Sequence, residues 1–215
     1  MDPTLLRSYD PKKNCSLKID AAMSKSKILD SIRKNQPGAI PLPEIDPALF
    51  ADEGNLREAF TSVLTAIGGN VHAVNSPEAA LPILKAAFPD AAKILCRVEG
   101  IDLNTVDPDS ITSAAELDDL DLAIIPGAFG VAENGAIWVP ESALSRRVLP
   151  FITAHLAIVM DGSQIVGTMH EAYPRLKDFR EGFGVFIAGP SKTADIEQSL
   201  VIGAHGPLSL SVFLI

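Results

Sequence analysis

Apolar residues recur at helical spacing twice in the first third of the chain. Ile28, Leu29 and Ile32 share one face of the segment from Ser24 to Asn35, and Leu56, Phe60, Val63, Leu64 and Ile67 share one face of another. Both are expected to be amphipathic helices. Between them, Pro37, Gly38, Pro41, Pro43 and Pro47 exclude a regular helix, and Gly68-Gly69 closes the second one. After that the pattern changes to short apolar runs. Strands are predicted at residues 70–74, 92–98, 119–125, 136–139, 155–160, 184–188 and 208–214, with Pro126-Gly127 stopping the third. Ser76, followed by Pro77 at a first helical position, is expected to cap a helix. Further helical segments are expected around 142–150, 169–178 and 192–199.

Strands therefore alternate with helices, and several strands are nearly continuous apolar runs. That arrangement predicts an α/β fold with a mostly parallel sheet covered on both faces. In such folds ligands sit beyond the carboxyl ends of the strands. Residues 1–22 mix Pro3, Asp10, Pro11, Lys12, Lys13 and Asn14 without periodicity and are expected to be a disordered extension. Residues 23–50 read as a helical arm on a Pro-rich linker, which suggests a homodimer contact. Residues 51–215 read as the α/β domain.

Composition narrows the function classes. The net charge is −9 and no dense Lys/Arg cluster is present, so a phosphate-backbone reader is not expected and nucleic acid is excluded as a partner. No run approaches the roughly 20 apolar residues of a membrane span, and the first residues lack the apolar centre of a signal peptide. A soluble, cytoplasmic protein without a membrane partner is the expectation. Cys15 and Cys96, the two cysteines, cannot furnish the four ligands of an iron–sulfur cluster or a structural zinc. Cys96 sits in the apolar run Ile94-Leu95-Cys96-Arg97-Val98 and reads as a buried structural thiol. Nothing in the spacing of His72, His155 and His170 demands a metal; the first two read as strand residues and the third as a helix cap. No Gly-x-Gly-x-x-Gly opens a helix, so a Rossmann-type dinucleotide site is not expected, and the pattern leaves open whether any cofactor binds.

Two stretches carry candidate chemistry. In Pro126-Gly127-Ala128-Phe129-Gly130-Val131-Ala132-Glu133-Asn134-Gly135 a strand ends in a glycine-punctuated loop with a carboxylate. Gly130 and Asn134 are candidates for substrate contact. Glu133 reads equally as a nucleophile, a general base, a polar clamp or a solvated turn residue. In Ile187-Ala188-Gly189-Pro190-Ser191-Lys192-Thr193-Ala194-Asp195 a strand runs into a predicted helix start. Free N–H groups there, with Ser191, Lys192 and Thr193, suit a small anion, and Lys192 can pair with substrate, with Glu133 or with Asp195. An ordinary capped helix is the plainer alternative. His205, with Gly206 beside it, precedes a predicted strand and reads either as an acid–base group or as a structural residue. Arg146 and Arg147 can hold a carboxylate bidentately but also read as solvated helix charges. Trp138 is expected in or near the core.

The run Gly189-Pro190-Ser191-Lys192-Thr193-Ala194-Asp195-Ile196-Glu197, with Leu200-Val201-Ile202-Gly203-Ala204-His205-Gly206-Pro207, resembles the C-terminal signature of the LUD-domain family, which includes lactate-utilization protein C. The Pro126-Gly127 to Ala132-Glu133 loop is similar to theirs as well, and the resemblance spans roughly residues 50–215. It implies a three-layer α/β/α fold like that of the ribose-5-phosphate isomerase, glucosamine-6-phosphate deaminase and CoA-transferase group. It also implies a cluster-free part in oxidising L-lactate to pyruvate, with iron–sulfur protein subunits as partners and a small anionic metabolite as ligand. Where the family carries Ala-Glu-Thr-Gly-Thr, this chain has Ala132-Glu133-Asn134-Gly135-Ala136, which removes two hydroxyls and puts substrate specificity in question. Glu133-Asn134-Gly135 also resembles the catalytic turn of some CoA-transferases.

Three readings stay open. One is a lactate-oxidation component with an anion site at Glu133, Lys192, Asp195 and His205. The second is a CoA-transferase- or isomerase-like enzyme using Glu133, with Lys192 neutralising the developing charge. The third is a non-catalytic ligand-binding or scaffold protein. All three assume that the loops at 127–135, 189–195 and 203–207 meet at one edge of one sheet.

Overall fold

A computed structural model of the chain describes residues 25–38, 40–41, 43–44, 46, 54–193, 201–203 and 205–215, with Thr193 and Val201 described by backbone alone. The expected extension at 1–22 lies outside them. The chain divides into a unit at Met1–Ile45 and a unit at Asp46–Ile215. In the first unit, helix α1 spans Lys25–Lys34 and carries Arg33 and Lys34 in its last turn, where cations complement the helix dipole. Its apolar residues Ile28, Leu29 and Ile32 stay exposed.

The second unit opens with helix α2, Leu56–Ala66, capped by the Asn55 side chain, which accepts from the N–H groups of Arg57 and Glu58. Phe60 and Leu64, one turn apart, are fully buried, and each such burial stabilises by about 1.5–3 kcal/mol. The chain leaves α2 through Gly68 at φ +95°, a conformation that costs glycine nothing. It then enters β1, Asn70–Ala73. A 3-10 turn and helix α3, Leu81–Ala87, lead to β2, Ile94–Cys96. Next come β3 (Leu122–Pro126), β4 (Phe129–Val131), β5 (Ala136–Pro140), helix α4 (Leu149–Ile152), β6 (His155–Met160) and β7 (Ile165–Val166). Helix α5 (Met169–Arg175), β8 (Gly184–Ile187), β9 (Lys192–Thr193), β10 (Val201–Ile202) and β11 (Ser209–Leu214) complete the order.

Five strands make a wholly parallel sheet in the order β1-β11-β6-β3-β2. Alternate residues build two cores. Leu95, Ala123, Ile125, Leu156, Ile158, Leu210 and Val212 join Phe60 and Leu64 on one face. Cys96, Leu122, Ile124, Ala157, Val159 and Phe213 join Leu84 of α3 on the other. Apolar side chains on both faces are the signature of a covered parallel sheet, so the α/β class stands.

A second, four-stranded sheet, β7-β4-β5-β8, accompanies the first. It is antiparallel except for the β4–β7 pair. Ile137, Val139 and Ile165 face the α2 core, while Phe129, Val131 and Val166 pack with Ala172 of α5 and with Trp138, Phe179 and Phe186. Strands β4 and β7 are too short to show a period and were not expected.

One predicted helix is corrected, and the start of another. Residues 142–150 form a 3-10 turn at Glu141–Ala143 and an extended Leu144, with α4 starting only at Leu149. Pro140 and Pro150 bracket the segment and deny it an interior helix. At 192–199, Lys192 and Thr193 pair as a strand with Ile202 and Val201; the rest of that predicted helix lies outside the described residues. No helix among the described residues is long and apolar enough to cross a membrane.

Candidate functional site

The loops at 189–193 and 203–207 meet. Ser191 N–H donates to the Pro207 carbonyl at 2.9 Å, and Gly203 N–H donates to the Ser191 carbonyl at 3.1 Å. A Cβ on Gly206 would sit 3.1 Å from Ser191 Cβ, so only a residue without a side chain fits this approach without displacement. Lys192 is exposed, and its Nζ lies 3.7 Å from where a Cβ on Gly68 would be, just past the carboxyl end of α2. Among the described residues it makes no ion pair. Asp195 and the helix start expected near it lie outside the described residues.

His205 and Gly206 border a cleft of about 580 Å³ with Asp118, Asp119, Asp121, Phe151, Thr153 and Leu208. These residues precede β3, β6 and β11, so the cleft lies at the amino edge of the parallel sheet rather than the carboxyl edge. Its charged lining is acidic, and Lys93 answers only part of it by pairing with Asp119 and donating to the Glu116 carbonyl at 2.7 Å. That ammonium holds the Asp119 carboxyl below its ordinary range.

Glu133 does not line this cleft. Its loop follows β4 of the second sheet. Its backbone N–H donates to the Gly167 carbonyl at 3.0 Å, and its Oε1 accepts the Met169 N–H, the first of α5, at 2.8 Å. Thr168 and Glu171 form a reciprocal pair at the same helix start, with Glu171 Oε2 accepting from Gly167 N–H at 3.2 Å and Thr168 Oγ1 accepting from Glu171 N–H at 3.3 Å. The carboxylate of Glu133 thus completes the cap of a short helix. Asn134 Oδ1 accepts from Ala136 N–H at 3.0 Å and closes the hairpin turn. Gly130 is buried in β4, where a Cβ would stand 3.0 Å from the Phe60 ring and 3.2 Å from Met160 Cε. In the described geometry Gly130 makes room for core packing. Hydrogen bonds join two of the three expected loops directly, while the third reaches α2 at Leu64 through Gly135, one turn before Ile67, which borders Gly189.

A second cleft escaped the sequence reading. His72, His155, Asn70, Asp90, Asp121, Ser209, Ser211 and Phe88 border about 630 Å³ at the same amino edge, on the α3 face. His155 Nδ1 lies 2.8 Å from Ser209 Oγ, and its ring packs on Phe88 at 4.8 Å. Asp121 Oδ2 accepts the N–H groups of Ala92 and Lys93, both at 2.8 Å. The available signal was polar residues at Asn70, His72, His155, Ser209 and Ser211 inside strands that are otherwise apolar. No group of three or more His, Cys, Asp or Glu side chains among the described residues is arranged to hold a metal ion.

The LUD domain pattern matches residues 112–215, a stretch that holds Glu133, Ser191, Lys192 and His205. Lactate utilization protein C of Bacillus pumilus is 31% identical over 99 residues, 43% of this chain and 41% of its own length. The protein of the same name from Deinococcus radiodurans is 35% identical over 106 residues, 48% of this chain and 50% of its own. The aligned part thus spans about half the length of these curated relatives or less. A crystal structure of a DUF162 family protein from Deinococcus radiodurans superposes with a TM-score of 0.57 at 23% identity, covering 80% of this chain and 99% of that one; it shares the fold. Residues 112–215, just under half of the chain, are thus similar to the LUD domain.

Proposed function

We propose that this chain is a lactate-utilization protein, a cluster-free component of a cytoplasmic system that oxidises L-lactate to pyruvate beside iron–sulfur protein subunits. The observation that carries the reading is the match of residues 112–215 to the LUD domain, together with relatives named lactate utilization protein C at 31–35% identity. Kinship of the sheet to the ribose-5-phosphate isomerase and CoA-transferase group belongs to the same proposal. A small carboxylate would be held at the joined loops, by Lys192 with Ser191 and Thr193, and with Asp195, His205 and Gly206 close in sequence. Supporting this, Lys192 is exposed and without an ion-pair partner among the described residues. The acids of the adjoining cleft restrict the anion to the Lys192 side. Deletion of the gene is expected to abolish growth on L-lactate while sparing growth on pyruvate, and the wild-type chain restores it where Lys192→Ala does not. Undiminished growth of the deletion strain on L-lactate would sink the reading. Affinity purification of the tagged chain is expected to bring iron–sulfur subunits with it.

A further inference from the structure

The turn between β5 and α4 holds a feature that the lactate reading does not use. Leu144, Ser145, Arg146, Arg147 and Val148, with Glu141 and Ala114, border a cleft of about 420 Å³. Arg146 Nη2 donates to the Ile111 carbonyl, which anchors one end of the guanidinium. Arg147 Nε and Nη2 donate to Glu141 Oε1 and Oε2 at 2.7 and 3.1 Å, and its Cζ lies 5.3 Å above the Phe183 ring. A guanidinium has five N–H donors, so both arginines keep donors beyond these bonds. The Ser145 hydroxyl oxygen is shielded from bulk water and has no hydrogen-bond partner among the described residues, an arrangement that costs stability until an acceptor arrives. Two arginines against one glutamate leave the lining with one net positive charge, of which Glu116, outside the lining, answers part through Arg146. The clefts of His205 and His155, by contrast, are bordered by aspartates and, among the described residues, by no Lys or Arg.

We propose that this turn is a small-carboxylate site, in which Arg146 and Arg147 grip the two anionic oxygens and Ser145 donates its hydroxyl. Glu141 acts as the built-in competitor, since its carboxylate already occupies one edge of Arg147 in the way a ligand would. The site is distinct from the Lys192 loops: Arg147 lies near Gly182, ahead of β8, and Lys192 lies beyond its far end. It stands whether or not the chain serves lactate oxidation.

The test is a titration of the full-length protein with sodium acetate, sodium L-lactate and sodium phosphate at constant ionic strength, followed by backbone and arginine Nε resonances. Saturable shifts centred on residues 144–148 are expected with acetate and L-lactate. Glu141→Gln releases Arg147 and tightens binding by about two- to fivefold, the range of an exposed ion pair. Arg146→Gln weakens it by roughly tenfold, the loss of a charged hydrogen bond. Shifts that stay linear and match those of sodium chloride overturn the proposal, as does a Glu141→Gln protein that binds no tighter. Tighter binding of phosphate than of either carboxylate overturns the ligand class. Should Arg146→Gln fail to fold, the Glu141→Gln comparison still decides.

Discussion

Oε1 of Glu133 accepts the backbone N–H of Met169 at 2.8 Å, which ties the loop after β4 to the start of α5. The bond satisfies one of the donors that every helix start leaves open, and it gives the acidic residue of the glycine-punctuated loop a definite structural task. Glu133→Ala is expected to lower unfolding free energy by about 1 kcal/mol, as for loss of a helix cap. Glu133→Gln, whose amide oxygen still accepts, loses less. Urea denaturation of the three proteins measures this, and equal midpoints would show that the bond adds nothing.

Gly184 lies directly beneath the Trp138 indole. A Cβ there would come within 2.2 Å of Cζ2, so Gly184→Ala forces the ring out of its packing with Phe179 and Phe186. A loss of about 1–3 kcal/mol is expected, typical of overpacking, along with a red shift in fluorescence of the single tryptophan. Trp138→Phe should be far milder: the indole N–H is buried without a partner among the described residues, so its removal offsets part of the lost contact area.

Acid sensitivity is expected at the 3-10 turn Ala114–Leu117. Glu116 Oε1 accepts the Thr112 hydroxyl at 2.7 Å and the Ser113 N–H at 3.0 Å. The Thr112 hydroxyl above all, then the backbone N–H groups of Ser113 and Thr112 and the charge of Arg146, hold the Glu116 carboxyl below its ordinary value. A carboxylate whose folded pKa is depressed contributes stability that is complete above its unfolded pKa, about 4.3. That contribution fades as pH falls through the lower folded value. Thermal midpoints from pH 6 to pH 3 are expected to fall less steeply in Glu116→Gln than in wild type; parallel profiles would remove the turn as a source.

Cys96 is buried at 4% exposure, and burial raises its thiol above the ordinary value. Its sulfur meets the Val98 N–H at 3.4 Å and the Val98 carbonyl at 3.5 Å. In a Cys15→Ser background, a thiol reagent should label Cys96 only at the rate of unfolding, with complete labelling in denaturant. Rapid labelling of the native protein would contradict a structural thiol.

Much of the fold was legible from local patterns. The period of Leu56, Phe60 and Leu64 marked α2, and largely apolar runs marked β3, β6 and β11, because a strand covered on both faces has few polar positions to interrupt it. The second sheet was hidden for the opposite reason. Strands of two or three residues, such as Ile165–Val166, are stabilised by neighbours distant in sequence, and no local window records those neighbours.

For the candidate site, the sequence by itself determined the chemical inventory: an acid after β4, a lysine and a serine after β8, a histidine before β11, and two adjacent arginines. Only the tertiary structure decided their company. Backbone hydrogen bonds brought Ser191 to Gly203 and Pro207, the open start of α5 drew Glu133 to Met169, and parallel pairing set His155 beside Ser209. Spacing along a chain reports contacts a few residues apart, whereas these contacts depend on which strand lies next to which, and packing alone settles that.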